Sequence, residues 1–295
     1  MVGCGDVGLR VVRPVAARLR VRVLTSSPER VDDFRALGVV PLVGQLDDPA
    51  GLRRLSGLAH RVLHLAPPPA TGRTDPRTRA LARALRTRSA PAVLVYGSTT
   101  GVYGDCGGQF IDETRPLRPA TDRAHRRVDA EAEAWRLVRA GTRVSVLRIP
   151  GIYAPDREGG TPEARLRRGT PVLRPGDDVY TNHIHADDLA RSCWLALWRG
   201  APARAYNISD DTQLRMGDYF DLAARLFGLP PPPRVALDEA RRQLSPALLS
   251  FMGESRRVRN VRMKRELRLR LRYPTVAEGL GGIGGPAGSA GPSTA

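Results

Sequence analysis

The chain has 295 residues, enough to bury a sizeable core as one large α/β domain or as a domain with a smaller appendage. No apolar run approaches the ~20 residues of a membrane-spanning helix, and no charged leader followed by an apolar core marks a signal peptide, so no membrane partner is expected. The net charge of +17 invites a nucleic-acid reading, yet Lys264 is the only lysine and the arginines are spread along the whole chain. A docking module would concentrate its charge on one element, so the expectation is no specific nucleic-acid partner and only non-specific polyanion binding at low salt. Cys4, Cys106 and Cys193 are odd in number and lack ligand-like spacing. That argues for a reduced, cytoplasmic setting and against a disulfide framework or a metal site.

In chain order, Gly3-Cys4-Gly5-Asp6-Val7-Gly8 has the G-x-G-x-x-G spacing that turns a strand tightly into a helix against a pyrophosphate. Such a motif follows a buried strand of about five residues. Only Met1 and Val2 precede it, so about four to eight further apolar residues are expected upstream. Apolar spacing predicts a helix over Leu9 to Leu19, with Pro14 an irregularity, then a strand over Val21 to Thr25. Ser27-Pro28-Glu29 opens a helix that Gly38 stops; Val39 to Val43 is a strand and Asp47 to Leu58 a short helix. Arg61 to Ala66 is a fourth strand running into Pro67-Pro68-Pro69, Asp75 to Arg88 a basic amphipathic helix, and Ala92 to Tyr96 a fifth strand. A polar loop spans Gly97 to Gly108, a long helix Asp122 to Ala140, and a sixth strand Arg143 to Ile149.

Strands alternating with helices at this pitch predict βαβ units and an α/β, doubly wound parallel sheet. Beyond it the pattern weakens from Pro155 to Thr181. Helical stretches are expected at Asn182 to Leu197, Met216 to Phe227, Leu237 to Leu249 and Val261 to Leu271, with a short strand at Ala205 to Ile208 and a disordered Gly/Ala/Ser/Pro tail from Gly279.

Ligands in such sheets sit at the carboxyl ends of the strands. An acid about 20 residues past the glycines would hold the ribose hydroxyls of NAD. Here Thr25-Ser26-Ser27-Pro28-Glu29-Arg30 offers no acid at the strand end, and Ser26 or Ser27, helped by Arg30, suits the 2′-phosphate of NADP. Ser27 also stands where a helix cap is expected. The fifth-strand loop, with Ser98, Thr99 and Tyr103, brings hydroxyls to a central strand end.

Gly3-Cys4-Gly5-Asp6-Val7-Gly8, Ser98-Thr99-Thr100-Gly101-Val102-Tyr103-Gly104, Arg148-Ile149-Pro150-Gly151-Ile152-Tyr153 and His183-Ile184-His185-Ala186-Asp187-Asp188-Leu189-Ala190 occur in this order, followed by Arg265-Glu266-Leu267 and Tyr273-Pro274-Thr275. Together they resemble an extended short-chain dehydrogenase/reductase of the NAD-dependent epimerase/dehydratase family, over about residues 1–280. The resemblance implies a Rossmann domain over residues 1–155 that also takes in 183–210, a small C-terminal α/β substrate region over 156–280, and a tail over 281–295. It implies NADP or NAD as cofactor, held by Gly3, Gly5, Asp6, Val7, Gly8, Ser26, Ser27, Arg30, Leu65, Ala66, Pro67 and Ser98. A small-molecule substrate and a homodimer through a four-helix bundle are implied as well.

The family's chemistry uses a Ser or Thr, a Tyr acid/base and a Lys four residues on. The hydroxyl position falls on Thr99. Counting back from Glu131 puts Arg127 at the Lys position and Arg123 at the Tyr position. An arginine stays protonated at neutral pH, so Arg123 cannot be a general acid/base. Arg127 could bind a ribose hydroxyl or phosphate, and His125 and Tyr103 are the substitute proton carriers within reach along the chain. The expectation is thus an NAD(P)-binding oxidoreductase or epimerase-like protein acting on a small carbonyl, carbinol or sugar-like substrate. The alternative is a non-catalytic NADP(H)-binding sensor or scaffold.

Overall fold

The computed structural model describes residues 1–281. Its strands, in chain order, are β1 (Arg22–Thr25), β2 (Val40–Val43), β3 (Arg61–His64), β4 (Val93–Thr99), β5 (Arg143–Ile149), β6 (Gly151–Tyr153), β7 (His183–His185) and β8 (Arg204–Asn207), besides short two-residue pairings. All pairings among them are parallel: β2 lies beside β1, and β3, β4, β5 and β8 follow one another, while β6 and β7 pair separately. Val2 joins the two parts of the main sheet, bridging Leu24 on one side and His64 on the other. The Val2 amide donates to the Leu63 carbonyl at 2.8 Å and the Leu24 amide donates to the Met1 carbonyl at 2.9 Å. The order is that of the doubly wound fold, with Met1-Val2 in the place of its central strand.

Side-chain alternation along β4 explains why both faces are covered. Leu94 and Tyr96 point to one face, packing with Leu81 and Leu85 of α3 (Pro76–Leu85) and with Ala130 and Ala134 of α4 (Asp122–Trp135). Val93 and Val95 point to the other, toward Val11 of α1 (Asp6–Val12) and Leu189, Cys193 and Ala196 of α6 (Ala186–Arg199). A separate cluster around Leu166 of α5 (Glu163–Arg167) and Phe220 and Ala223 of α7 (Met216–Phe227) forms the core of the C-terminal region.

Several elements differ from expectation, each for a local reason. Helix α1 ends at Val12, just before Pro14, and the chain continues to Leu19 as turns. Strand β4 runs on to Thr99, because Gly97, Ser98 and Thr99 keep pairing with Leu147, Arg148 and Ile149. The helix expected from Asn182 begins only at Ala186, since His183–His185 is a strand. The stretch expected to be one helix over Leu237 to Leu249 is two, Leu237–Gln243 and Pro246–Met252, with Ser245 capping the second through its hydroxyl. Gly279 to Gly281 close the helix Val276–Gly281 and do not begin a tail; the rest of the expected tail lies outside the described residues.

The glycine turn is held by backbone proximity. Gly3 has φ +82°, and a Cβ there would overlap the amide nitrogen and Cα of Ala66. Gly5 has open space around it. Gly3→Ala is therefore expected to cost at least ~2 kcal/mol from left-handed strain and displacement of β3's end, whereas Gly5→Ala leaves stability nearly unchanged; urea unfolding of both variants measures the difference.

Candidate functional site

Two cavities open at the carboxyl ends of the strands. The first, about 500 Å³, is lined by Val2 to Gly5, by Leu24 to Ser27 and Arg30 after β1, by Gly44 to Asp47 after β2, and by Ala66, Pro67 and Arg77. Its floor is the glycine turn, and Gly5 begins α1 with no side-chain cap, so the helix's first N–H groups have no side-chain acceptor. Beyond β1, the Ser27 amide donates to Thr25 Oγ1 at 3.1 Å, which turns the chain and brings Ser26 and Ser27 to the wall. Ser27 sits at a helix cap position but its hydroxyl makes no cap bond. Arg30 lies over the Phe34 ring at 4.7 Å. An Asp47–Arg77 pair, 2.6 Å, closes the far side; nothing in the local sequence around either residue pairs them.

Of the residues expected to hold a cofactor, Gly3, Gly5, Ser26, Ser27, Arg30, Ala66 and Pro67 meet at this cavity. Asp6, Val7, Gly8, Leu65 and Ser98 do not line it. The Asp6 carboxylate accepts from Arg10 at 3.2 Å, and Ser98 points the other way, donating to Glu131 Oε1 at 2.6 Å.

The second cavity, about 400 Å³, lies between the ends of β4 and β5 and the C-terminal region. Thr99, Thr100 and Arg123 line it together with Tyr153, Arg165, His183, Tyr219, Phe251, Glu254 and Arg256. His183 stacks on Tyr219 with ring centroids 4.2 Å apart, and burial lowers its pKa to about 4, so it is neutral at pH 7.

Among the residues expected to carry chemistry, Thr99 alone lines this cavity, its Oγ1 accepting from the Gly101 amide at 3.3 Å. Tyr103 is fully buried; its hydroxyl donates to Asn207 Oδ1 at 2.7 Å and accepts from Arg148 at 2.9 Å, and burial pushes its pKa up to about 12. Arg127 donates to the Gly97 carbonyl at 2.8 Å and to the Tyr96 hydroxyl at 3.1 Å. His125 meets Arg73 on α4's outer side. Among the described residues no cluster of three or more His, Cys, Asp or Glu gathers where a metal could bind.

Behind the cavity wall is a buried charge network. Glu131, 1% exposed, takes both Arg148 nitrogens, Nη2 to Oε2 at 2.9 Å and Nε to Oε1 at 3.2 Å, besides the Ser98 hydroxyl. Arg148 and Glu131 both stand in motifs read from the sequence, but no local signal pairs them.

A parallel sheet with a glycine turn and a cavity at its strand ends is a doubly wound α/β architecture of the dinucleotide-binding kind. Residues 76–209 match the NAD dependent epimerase/dehydratase family. A conserved protein of unknown function from Silicibacter pomeroyi is 34% identical, with a TM-score of 0.80 over 95% of each chain. Protein YeeZ of Escherichia coli K12 is 32% identical over 149 residues, 50% of this chain and 51% of that protein, so the match spans about half the length of this curated relative. DesIV, a dTDP-glucose 4,6-dehydratase of Streptomyces venezuelae solved as a double mutant with NAD bound, shares the fold at a TM-score of 0.76 and 21% identity, over 95% of this chain and 94% of its own. The match to the NAD dependent epimerase/dehydratase family thus takes in the stretch from α3 to β8, a little under half of this chain.

The buried pair sets the first expectation from this site. Glu131→Ala leaves Arg148 uncompensated and is expected to cost ~3–5 kcal/mol in urea unfolding, while the double change Glu131→Leu with Arg148→Met costs clearly less. Equal costs for single and double variants would mean that the two charges do not compensate one another.

Proposed function

We propose that the chain is an NAD(P)-binding oxidoreductase or epimerase-type enzyme acting on a small carbonyl, carbinol or sugar-like substrate, with the cofactor in the first cavity and the substrate in the second. One observation carries it: the glycine turn, the two serines, Arg30 and the Ala66-Pro67 strand end, far apart in sequence, share one cavity. The residues fit a dinucleotide. The absence of a side chain at Gly3 keeps the turn against β3, and the uncapped start of α1 presents N–H groups suited to a pyrophosphate. Ser26, Ser27 and Arg30 favour a 2′-phosphate, hence NADP over NAD. When bound, the nicotinamide supplies hydride transfer. Thr99 orients the substrate oxygen by hydrogen bonding.

A second reading is favoured by Arg123 in the substrate cavity, at the place that the family resemblance assigns to the acid/base tyrosine. Arg127, at the lysine position, is tied to Gly97 and Tyr96. With no tyrosine there, the protein would bind cofactor without turning over, as a sensor or scaffold.

Titration followed by nicotinamide fluorescence tests the shared part: NADPH is expected to bind more tightly than NADH, and Arg30→Ala to weaken NADPH by about tenfold with little effect on NADH. No binding of either cofactor would sink both readings. Turnover separates them. Cofactor oxidation with any member of a carbonyl and sugar-nucleotide panel, lost in Thr99→Ala with cofactor affinity intact, supports the enzyme; silence throughout, including in Arg123→Tyr with Arg127→Lys, supports the scaffold.

A further inference from the structure

Several arginines in this protein that lie against the interior are matched by acids. Arg10 meets Asp6, Asp156 and Asp187, Arg234 meets Asp221, and Arg148 meets Glu131. In the second cavity the matching is incomplete. Arg165 on α5 lies over the Phe220 ring at 4.3 Å, and its Nε and Nη2 are buried with no hydrogen-bond partner. Arg123 lies over the Phe251 ring at 4.4 Å, and no ion pair or hydrogen bond to it forms among the described residues. Arg256 donates to the Gly104 carbonyl at 2.8 Å and has one acidic partner, Glu254 at 2.7 Å, the only carboxylate among the described residues that line the cavity, while its Nε is buried and unpaired.

A guanidinium cannot lose its proton at neutral pH, so a desolvated one without an acid stays charged and uncompensated. Burial lowers the pKa of Arg165, which marks the same cost from the other side, whereas Arg123 is exposed and the Glu254 carboxylate offsets part of its charge. The aromatic rings offset part of it but give no acceptor for the N–H groups. Arg123 on α4 and Arg165 on α5 both line the cavity, so an anion in it would meet positive charge from two separate elements.

We propose that the second cavity is an oxyanion receptor: its ligand carries a carboxylate or phosphate group that Arg165 and Arg123 grip directly, with the acidic group near Thr99. This rests on reading that cavity as the substrate site, and it deepens it by naming the substrate's charge. An arginine beside Thr99 then serves an acidic substrate as a binding fork, where the same position in the resembling family would serve a neutral carbinol as a proton donor.

Calorimetric titration of the full chain with inorganic phosphate and with malonate, in buffer containing chloride to screen surface charge, reads the site without cofactor. At least one of the two is expected to bind, and which one binds tells phosphate from carboxylate. Arg165→Gln and Arg123→Gln should each weaken that binding about tenfold or more, Arg165→Lys less, and Arg167→Gln not at all, since Arg167 lies on the same short helix but pairs outward with Glu163. Thermal unfolding gives an independent sign: Arg165→Met should raise the midpoint by about 2–4 °C, because it removes an uncompensated charge. No binding of either anion, an equal loss in Arg167→Gln, or a lowered midpoint in Arg165→Met would overturn the proposal. NADPH fluorescence on the same variants keeps the two ideas apart. Anion binding through Arg165 without cofactor binding removes the proposed enzyme and leaves the receptor; the reverse removes the receptor alone.

Discussion

The Glu131–Arg148 pair is the constraint on which the site's geometry depends. Two charges at this depth are tolerable only if each satisfies the other and their remaining hydrogen-bonding capacity is used. That requirement is met by Ser98, Tyr103 and the Glu113 carbonyl, which converge on the pair from β4, from the turn after it and from the following loop. The end of β4 is thereby fixed against α4 and β5 by polar contacts, where apolar packing alone would leave it free to shift. Thr99 follows Ser98, so its placement at the cavity mouth is a direct result of what is buried beneath it.

The same network accounts for two side chains that looked available for chemistry and face elsewhere. Tyr103 has both hydrogen-bonding functions engaged in the interior, and Ser98 has surrendered its hydroxyl to Glu131. Arg127 is likewise engaged with the backbone of β4. Of the side chains expected to carry chemistry, only the Thr99 hydroxyl therefore reaches the cavity, and the chemistry of the pocket is set as much by which polar groups are occupied as by which are present.

The legible parts were those whose signal is local. β5 and α7 have the expected boundaries because an apolar, β-branched run and a helical stripe each carry their own period. The glycine turn and Ser26, Ser27 and Arg30 could be read because strand ends in a parallel sheet converge. The extension of β4 through Gly97 could not: a glycine reads as a loop, and only the register with Leu147 and Arg148 keeps it in the sheet. Arg165 was hidden for a different reason. In a chain this rich in arginine, a buried unpaired guanidinium looks the same in sequence as a solvated one, and only the fold distinguishes them.

Val2 is a seam. The β1–β2 part of the sheet is joined through the ladder to the rest by Met1 and Val2, and some of its apolar side chains, among them Val23, Phe34 and Val39, pack in a cluster of their own with Cys4 and Val12. The first cavity straddles that seam, with walls from β1 and β2 on one side and from the end of β3 on the other. A molecule filling it would act as a clip across a narrow joint, so occupancy would be felt as mechanical stiffness as well as affinity. The protein's resistance to local opening, and with it to proteolysis, would then follow the supply of that molecule in its surroundings.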